Sequence, residues 1–144
     1  MKIAVCSDEP YPVNDVIVTE IKKRGHEAIL FGSPRTKKEA PWITVTAEAA
    51  KAVSEGRCDE GIFFCWTGTG SAIAANKISG IRAALCGDAE TAKGARIWNH
   101  ANVLILSNRL TTSDLAKEIL EAWFSTPMDD RGEKTVQDIK KLEK

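Results

Sequence analysis

The feature of this sequence with the clearest chemical potential is a cysteine that ends an apolar run and precedes a glycine-rich turn. The run covers residues 61–65 and ends in Cys65, and residues 68–70 read Gly-Thr-Gly before a stretch of small residues compatible with a helix. Short apolar runs bounded by turn residues are typical of buried strands. The order predicts a strand, a tight loop and a helix, with Cys65 at the carboxyl end of the strand, where open α/β sheets bind ligands.

The predicted loop has the properties of a site that holds negative charge. Gly68 and Gly70 carry no Cβ, so the backbone can approach a ligand closely, and the first N–H groups of the helix would point at that ligand. A thiolate is favoured near a helix N-terminus, and a thiolate beside such donors could remove a carbon-bound proton and stabilise the resulting oxyanion. The alternative is that Cys65 is a small core residue, as buried cysteines often are.

Composition narrows the class of protein. The chain has 144 residues, which predicts a single domain over 1–144 with a real core. Lysine plus arginine equals aspartate plus glutamate, so no strong global field would attract nucleic acid or an acidic membrane. No apolar run approaches the roughly 20 residues needed to span a bilayer, and the N-terminus does not read as a signal peptide. Four cysteines without C-x-x-C spacing indicate reduced thiols and a cytoplasmic protein.

Apolar runs and helical patterns alternate along the chain. We predict strands at residues 3–6, 26–31, 61–65, 81–86 and 103–106, and helices at 13–24, 45–55, 70–77, 89–98, 112–124 and 135–142. Alternation of this kind predicts a parallel sheet with helices on both faces, that is, an α/β three-layer sandwich of five strands. The last helix has few apolar positions, so residues 126–144 are predicted to be an extension that packs on a partner subunit; fraying in solution is the alternative.

Polar residues follow three of the predicted strands and could converge on one cleft. Asp8 and Glu9 follow the first strand, Trp66 and Thr67 follow Cys65, and Arg109 follows the fifth strand. In a parallel sheet the carboxyl ends of these strands share one edge. Asp8, Glu9 and His100 do not have the spacing of metal ligands, so no metal site is predicted.

Several blocks resemble the family of ribose-5-phosphate isomerase B and the galactose-6-phosphate isomerase subunits. The most specific block is Cys65-x-Thr67-Gly68-x-Gly70 followed by Ala-Ala-Asn-Lys at 74–77 and Gly-Ile-Arg-Ala-Ala at 80–84. Asn-Val-Leu at 102–104 followed by Arg109, and the helix at 115–119 with Trp123, also match. The resemblance runs over most of the chain, from residue 1 to about 139.

The resemblance implies a Rossmann-like fold and the interconversion of aldose and ketose phosphates without a metal or another cofactor. It implies that Cys65 is the base that moves a proton between C1 and C2, that Thr67 assists it, and that backbone amides at Gly68 and Gly70 hold the enediolate. It also implies a homodimer, or a homotetramer built from dimers, in which subunits share the active site. The predicted substrate-binding residues are Asp8, Glu9, Trp66, Gly68, Thr69, Gly70, Asn99, His100, Arg109 and Arg131, of which Glu9, Trp66 and His100 do not match the family pattern.

The chain departs from the family pattern at positions that matter for the substrate. Glu9 stands where the family has a phosphate-binding histidine, and Trp98 stands where the family has a histidine that assists ring opening. Trp66 replaces a glycine after the cysteine, and of two phosphate-binding arginines near the C-terminus only Arg131 has a clear match. His100, two positions after Trp98, could replace a lost histidine after a small shift of the loop.

Two hypotheses follow from these departures. The first is an aldose–ketose isomerase of a sugar phosphate, acting on a shorter or open-chain substrate or on one with a different tail. The second is a subunit without catalysis that binds a sugar ligand or pairs with a catalytic homologue. A catalytic protein must replace the missing histidines, whereas a binding subunit need not.

Overall fold

Five strands alternate with seven helices in the computed structural model, which describes residues 1–143. The strands are β1 (Lys2–Ser7), β2 (Glu27–Gly32), β3 (Glu60–Cys65), β4 (Ala83–Leu85) and β5 (Val103–Ser107). The helices are α1 (Pro12–Lys23), α2 (Ser33–Thr36), α3 (Trp42–Ser54), α4 (Thr69–Asn76), α5 (Ala89–Asn99), α6 (Ser113–Ser125) and α7 (Glu133–Lys140), and a 3₁₀ turn, Asp130–Gly132, precedes α7. Within residues 1–143, no helix is both long enough and apolar enough to cross a membrane.

The strands form one parallel sheet in the order β2-β1-β3-β5-β4. Ser7 at the end of β1 is level with Phe64, and Cys65 is level with Ser107 at the end of β5. After β1 the chain continues to β2 on one side of the sheet, whereas after β3 it continues to β4 and β5 on the other side. This reversal of direction is the switch point, and open α/β sheets form a ligand crevice at the carboxyl ends of the two strands beside it. The predicted α/β sandwich with a five-stranded parallel sheet is confirmed.

The sheet separates two apolar cores, because successive side chains of each strand point to opposite faces. Ile62 and Phe64 of β3 pack with α1, α5 and α6 on one face, whereas Phe63 packs with α3 and α4 on the other. Both faces of the central strands are therefore covered, which explains why they read in the sequence as continuous apolar runs.

Four elements show the largest differences from the sequence-based predictions. One turn of helix, α2, lies inside the predicted loop at 32–42, and α3 begins three residues earlier than predicted. Strand β4 has three residues instead of six, because the side chain of Asn102 accepts the Arg82 N–H (2.8 Å) in place of a strand partner. The C-terminal helix begins and ends two residues earlier than the predicted 135–142.

Candidate active site

Cys65 is the last residue of β3 and lies almost buried at the carboxyl edge of the sheet. Its Sγ accepts a hydrogen bond from the backbone N–H of Gly68 at 3.2 Å. Gly68 has φ +84°, and a Cβ at this position would lie 2.6 Å from Cδ1 of Leu85. Only glycine adopts this conformation readily. The glycine at position 68 therefore allows the turn in which its own N–H donates to the sulfur of Cys65. Such a donor stabilises negative charge on the sulfur.

Helix α4 begins directly after this turn and is fixed against the end of β3. The Oγ of Ser71, which is completely buried, donates to the carbonyl of Phe64 at 3.3 Å and lies 3.3 Å from the hydroxyl of Thr46 on α3. The hydroxyls of Thr67 and Thr69 are 2.7 Å apart and both are exposed. The loop therefore presents backbone N–H groups and two hydroxyls beside Cys65, on a helix whose position is rigidly defined.

Three carboxylates gather at the carboxyl edge of the sheet, two of them after β1 and the third, Glu39, in the connection before α3. The N–H of Glu9 donates to Oδ1 of Asp8 (3.0 Å), and the N–H of Ala40 donates to the carbonyl of Asp8 (2.8 Å), which brings Glu39 close to the same edge. Burial raises the pKa of Asp8, and the charges of Glu9 and Glu39 add to that increase. This part of the site therefore favours hydroxyl groups or positive charge over a phosphate.

Trp66 forms an aromatic wall next to the cysteine, with half of its surface exposed. The ring of Tyr11 packs on it with centroids 5.8 Å apart, and the guanidinium of Arg109 lies 5.7 Å from its centroid. The Tyr11 hydroxyl donates to Oε2 of Glu9 at 3.0 Å. Burial and that hydrogen bond raise the pKa of Tyr11, so the phenol remains a donor. Trp66 therefore contacts both Tyr11, which donates to the acidic Glu9, and the cationic Arg109.

A buried polar network joins the ends of the three central strands beneath the site. Asn14 Nδ2 donates to Asn108 Oδ1 (3.0 Å), Asn108 Nδ2 donates to Ser7 Oγ (3.0 Å), and the Asn108 N–H donates to the carbonyl of Cys65 (2.9 Å). These three side chains are buried and satisfied, and such networks rigidify a site. Neither the network nor Tyr11 was predicted from the sequence, although Pro12 at the first position of α1 is a signal that places Tyr11 at the carboxyl edge.

The structure divides the predicted site residues into two groups. The residues at the carboxyl edge are Asp8, Glu9, Cys65, Trp66, Thr67, Gly68, Thr69, Gly70 and Arg109. Asn99, His100 and Arg131 lie at the amino edge instead, because they sit at or near the connection that enters β5. The length of β5 separates the two edges by about 13 Å.

The amino-edge group makes its own contacts. His100 has a left-handed backbone (φ 45°) at the end of α5, and its Nε2 lies 2.6 Å from the carbonyl oxygen of Asp129. Arg131 pairs with the carboxylate of Asp129 at 2.7 Å and lies 5.6 Å from the ring of Trp98. This ion pair holds the pKa of Asp129 at about 2. Within one chain, the small loop shift proposed for His100 would not bring its ring to Cys65.

The carboxyl-edge group can perform proton transfer at carbon. A sulfur base, backbone N–H donors at the start of a helix and hydroxyls of two threonines surround one crevice, and this combination can move a proton and hold an oxyanion. Within residues 1–143, no group of three or more His, Cys, Asp and Glu side chains is arranged to hold a metal ion. All four cysteines are free thiols.

Comparison with known proteins identifies the family of this chain. The family model described as Ribose/Galactose Isomerase matches residues 3–142. The chain is 32% identical over 133 residues to D-erythrulose-4-phosphate isomerase of Pectobacterium atrosepticum, covering 92% of this chain and 88% of that protein. It is 35% identical over 119 residues to ribose-5-phosphate isomerase B of Escherichia coli, covering 83% and 79%. The solved structure of ribose-5-phosphate isomerase B of Clostridium thermocellum superposes with a TM-score of 0.91 at 38% identity, covering 99% of this chain and 97% of that one. The chain therefore belongs to the ribose/galactose isomerase family, a family of sugar-phosphate isomerases.

Proposed function

We propose that this protein interconverts an aldose phosphate and a ketose phosphate, with Cys65 as the base. The Cys65 thiolate takes a proton from the carbon next to the carbonyl, and the electrons of that C–H bond form the enediolate. The same proton then returns to the neighbouring carbon, so nothing is oxidised or reduced overall. The observation that carries the proposal is the hydrogen bond from Gly68 N–H to Cys65 Sγ (3.2 Å) at the switch point of the sheet.

The remaining residues of the carboxyl edge take complementary roles. The hydroxyl of Thr67 and the amides of Gly68 and Gly70 stabilise the enediolate oxygens, which need donors in the transition state. Arg109 binds the phosphate, because an arginine over the Trp66 ring is a positive charge held at a defined position. Asp8, Glu9 and Thr69 bind sugar hydroxyls, and Trp66 packs against the sugar.

The protein works as a homodimer, or as a homotetramer built from dimers, in the cytoplasm. Asn99, His100 and Arg131 lie too far from Cys65 to join its site within one chain, so we propose that they act at the site of a second chain. Exposed apolar side chains support this assembly: Trp42, Ile43 and Ile73 are 41%, 58% and 64% exposed beside the loop that carries Gly70. Residues 126–143 pack on the partner subunit in this proposal, since none of the residues of α7 is buried within one chain; the last residue of the predicted extension, 144, lies outside the described residues.

The substrate is a short, open-chain sugar phosphate. Trp98 stands at the position where the family histidine assists ring opening, and no histidine lies beside Cys65 in residues 1–143 of one chain. A tetrose 4-phosphate needs no such step, because its C4 hydroxyl is esterified and cannot close a furanose ring. The relative from Pectobacterium atrosepticum is named as an isomerase of a phosphate of this size.

A second candidate function is a binding subunit without turnover. The observation in its favour is the acidic cluster, because Asp8, Glu9 and Glu39 oppose a phosphate where the family has a histidine. Such a subunit would bind a sugar ligand or pair with a catalytic homologue.

Turnover of the purified protein on tetrose, pentose and hexose phosphates tests the proposal. We expect the highest kcat/KM on a tetrose phosphate, and we expect Cys65→Ala to lower kcat about 10²- to 10⁴-fold on that substrate. Cys58→Ala is the matched control, since Cys58 is a buried thiol before β3, at the opposite edge of the sheet.

Three results would count against the proposal in different ways. Full activity of a folded Cys65→Ala variant would remove the cysteine base, with Glu9 the next candidate. Equal losses in both cysteine variants would indicate a structural effect. Binding of sugar phosphates without turnover of any of them would favour the binding subunit.

A further inference from the structure

Trp66 places an indole, the bulkiest of the natural side chains, directly after the proposed base. Its backbone is fixed by the turn after β5, because the carbonyl of Trp66 accepts the hydroxyl of Ser107 (2.9 Å) and the N–H of Arg109 (3.1 Å). Half of the side chain is exposed at the carboxyl edge of the sheet. Aromatic side chains cover about 150–250 Å² of surface each, so this one removes much of the space beside Cys65.

The same ring determines where Arg109 lies. The Cζ of Arg109 is 5.7 Å from the centroid of the Trp66 ring, which is within the range of a cation–π contact. A guanidinium that lies over a ring keeps N–H groups at its edge for a phosphate. Because Trp66 follows Cys65 directly in the chain, a phosphate bound by Arg109 is held close to the base, with room for few carbon atoms between them.

Tyr11 holds the indole from another part of the chain. Its ring packs on that of Trp66, with centroids 5.8 Å apart and an angle of 32° between the planes. The Tyr11 hydroxyl donates to Oε2 of Glu9 (3.0 Å), and the carbonyl of Glu9 accepts the hydroxyl of Ser7 (2.7 Å). Ser7 is completely buried at the end of β1. The contacts that hold the indole therefore lead through Tyr11 back to the sheet.

We propose that Trp66 limits the length of the substrate, and that Tyr11 is the positioning residue that holds Trp66 in this role. The proposal rests on the substrate site of the isomerase function proposed above, and it assigns the limit of four carbons to two side chains. A longer sugar chain meets the indole, because the contacts of its ring and of its backbone hold Trp66 in place.

Two probes without a carbonyl group test this limit separately from catalysis. Erythritol 4-phosphate and ribitol 5-phosphate differ by one CHOH unit, and neither can be isomerised, so calorimetry measures their binding alone. We expect the parent protein to bind the four-carbon probe at least about tenfold more tightly, since one unit too many in a fitted pocket costs about that factor. Trp66→Ala should remove most of this preference, and Trp66→Phe should retain part of it.

A pair of variants and a signal from Trp66 itself test the role of Tyr11. Tyr11→Ala should lower the preference strongly, whereas Tyr11→Phe, which keeps the ring and loses the bond to Glu9, should lower it less. The chain has four tryptophans, and 5-fluorotryptophan gives each a fluorine resonance. That of Trp66, assigned by its loss in Trp66→Phe, should move further in Tyr11→Ala than in Tyr11→Phe. The resonance of the completely buried Trp123 should stay unchanged if the variants remain folded.

Failure of this limit is distinguishable from failure of the isomerase function. Cys65→Ala should lose turnover and still prefer the four-carbon probe, because the limit does not depend on the thiol. The proposal is overturned if the parent protein does not prefer that probe, if Trp66→Ala leaves the preference unchanged, or if Tyr11→Ala changes neither the preference nor the Trp66 resonance. A parent protein with the preference but without turnover of any sugar phosphate would contradict the isomerase and support the limit.

Discussion

At the scale of single residues, the four thiols have very different surroundings. Cys6 is completely buried, and burial raises its pKa far above the ordinary value. Burial raises the pKa of Cys86 to about 12 and also raises that of Cys58. Cys65 alone accepts a backbone N–H from a glycine turn at the ligand edge of the sheet. A cysteine is reactive only as an accessible thiolate, so these surroundings predict an order of reactivity.

We expect iodoacetamide to alkylate Cys65 before the other three cysteines, at about pH 8 and within the native protein. Peptide mass spectrometry after short exposures measures the order, and a bound substrate should slow the reaction at Cys65. Alkylation of Cys58 or Cys86 ahead of Cys65 would contradict the assignment of Cys65 as the reactive thiol.

Asp8 allows a prediction about pH. Its raised pKa means that, between the ordinary value of 3.8 and the folded value, the native state binds more protons than the unfolded state. The free energy of unfolding therefore falls as pH rises through this window, and the deficit persists at neutral pH. We expect Asp8→Asn to be more stable than the parent at pH 7 and to lose this advantage below about pH 4, in urea denaturation at each pH.

Asp129 provides the contrast for that experiment. Its pKa is held at about 2 by the hydrogen bond to Arg131, so its contribution is present at neutral pH and is lost as pH falls toward 2. Asp129→Asn should therefore lower stability at pH 7, opposite in sign to Asp8→Asn. Changes of the same sign in both variants would show that the charges near Asp8 do not govern its titration.

At the scale of elements, the connection from β3 to α4 depends on one glycine. Gly68 and Gly25 have nearly the same φ, +84° and +81°, but a Cβ on Gly25 would have no neighbour within 4 Å, whereas one on Gly68 would meet Leu85. Alanine substitutions at the two positions therefore distinguish the free-energy cost of a left-handed backbone from the cost of a close contact with a neighbouring side chain.

We expect Gly25→Ala to cost about 1 kcal/mol of unfolding free energy without changing turnover, since the backbone conformation alone is strained. Gly68→Ala should cost about 1–3 kcal/mol and should also lower kcat, because displacement of the turn moves the N–H away from the Cys65 sulfur. Urea denaturation and steady-state kinetics measure both effects. Equal stability losses and unchanged kinetics would mean that the turn does not need its present geometry.

At the scale of the whole molecule, one patch of exposed apolar side chains lies near the candidate active site. Trp42 lies against Gly70, where a Cβ would come within 2.9 Å of its ring, and Ile73 lies one turn further along α4. Exposed apolar side chains in one patch are typical of an interface between proteins. This patch is therefore the first candidate for the contact between subunits.

We expect light scattering at micromolar concentration to show a dimer or a multiple of it. Ile73→Glu should weaken this association at least about tenfold, because it buries an unpaired charge in the contact. Leu110→Glu is the matched control, since Leu110 is 65% exposed in the turn after β5, outside this patch. A monomer in the parent protein, or an equal effect of the two substitutions, would contradict the assignment of the patch.

The sequence by itself determined the architecture and the local geometry at the centre of the candidate site. Apolar runs of four to six residues separated by helical patterns are local signals, and burial on both faces of the sheet is what makes each central strand continuously apolar. Cys65, Gly68 and Gly70 are close in the chain, so their relative geometry follows from one strand, one turn and one helix. The edge shared by Asp8, Cys65 and Arg109 followed from the parallel direction of the strands.

Only the tertiary structure decided how distant elements meet. The contact of Asn14 with Asn108 spans 94 positions, and the ring of Tyr11 packs on that of Trp66 in another part of the chain. The location of Asn99, His100 and Arg131 at the amino edge also depends on packing, because His100 is fixed by a carbonyl 29 positions away. Side-chain contacts between separate elements depend on how the helices pack on the sheet, and a local pattern of residue types does not record that packing.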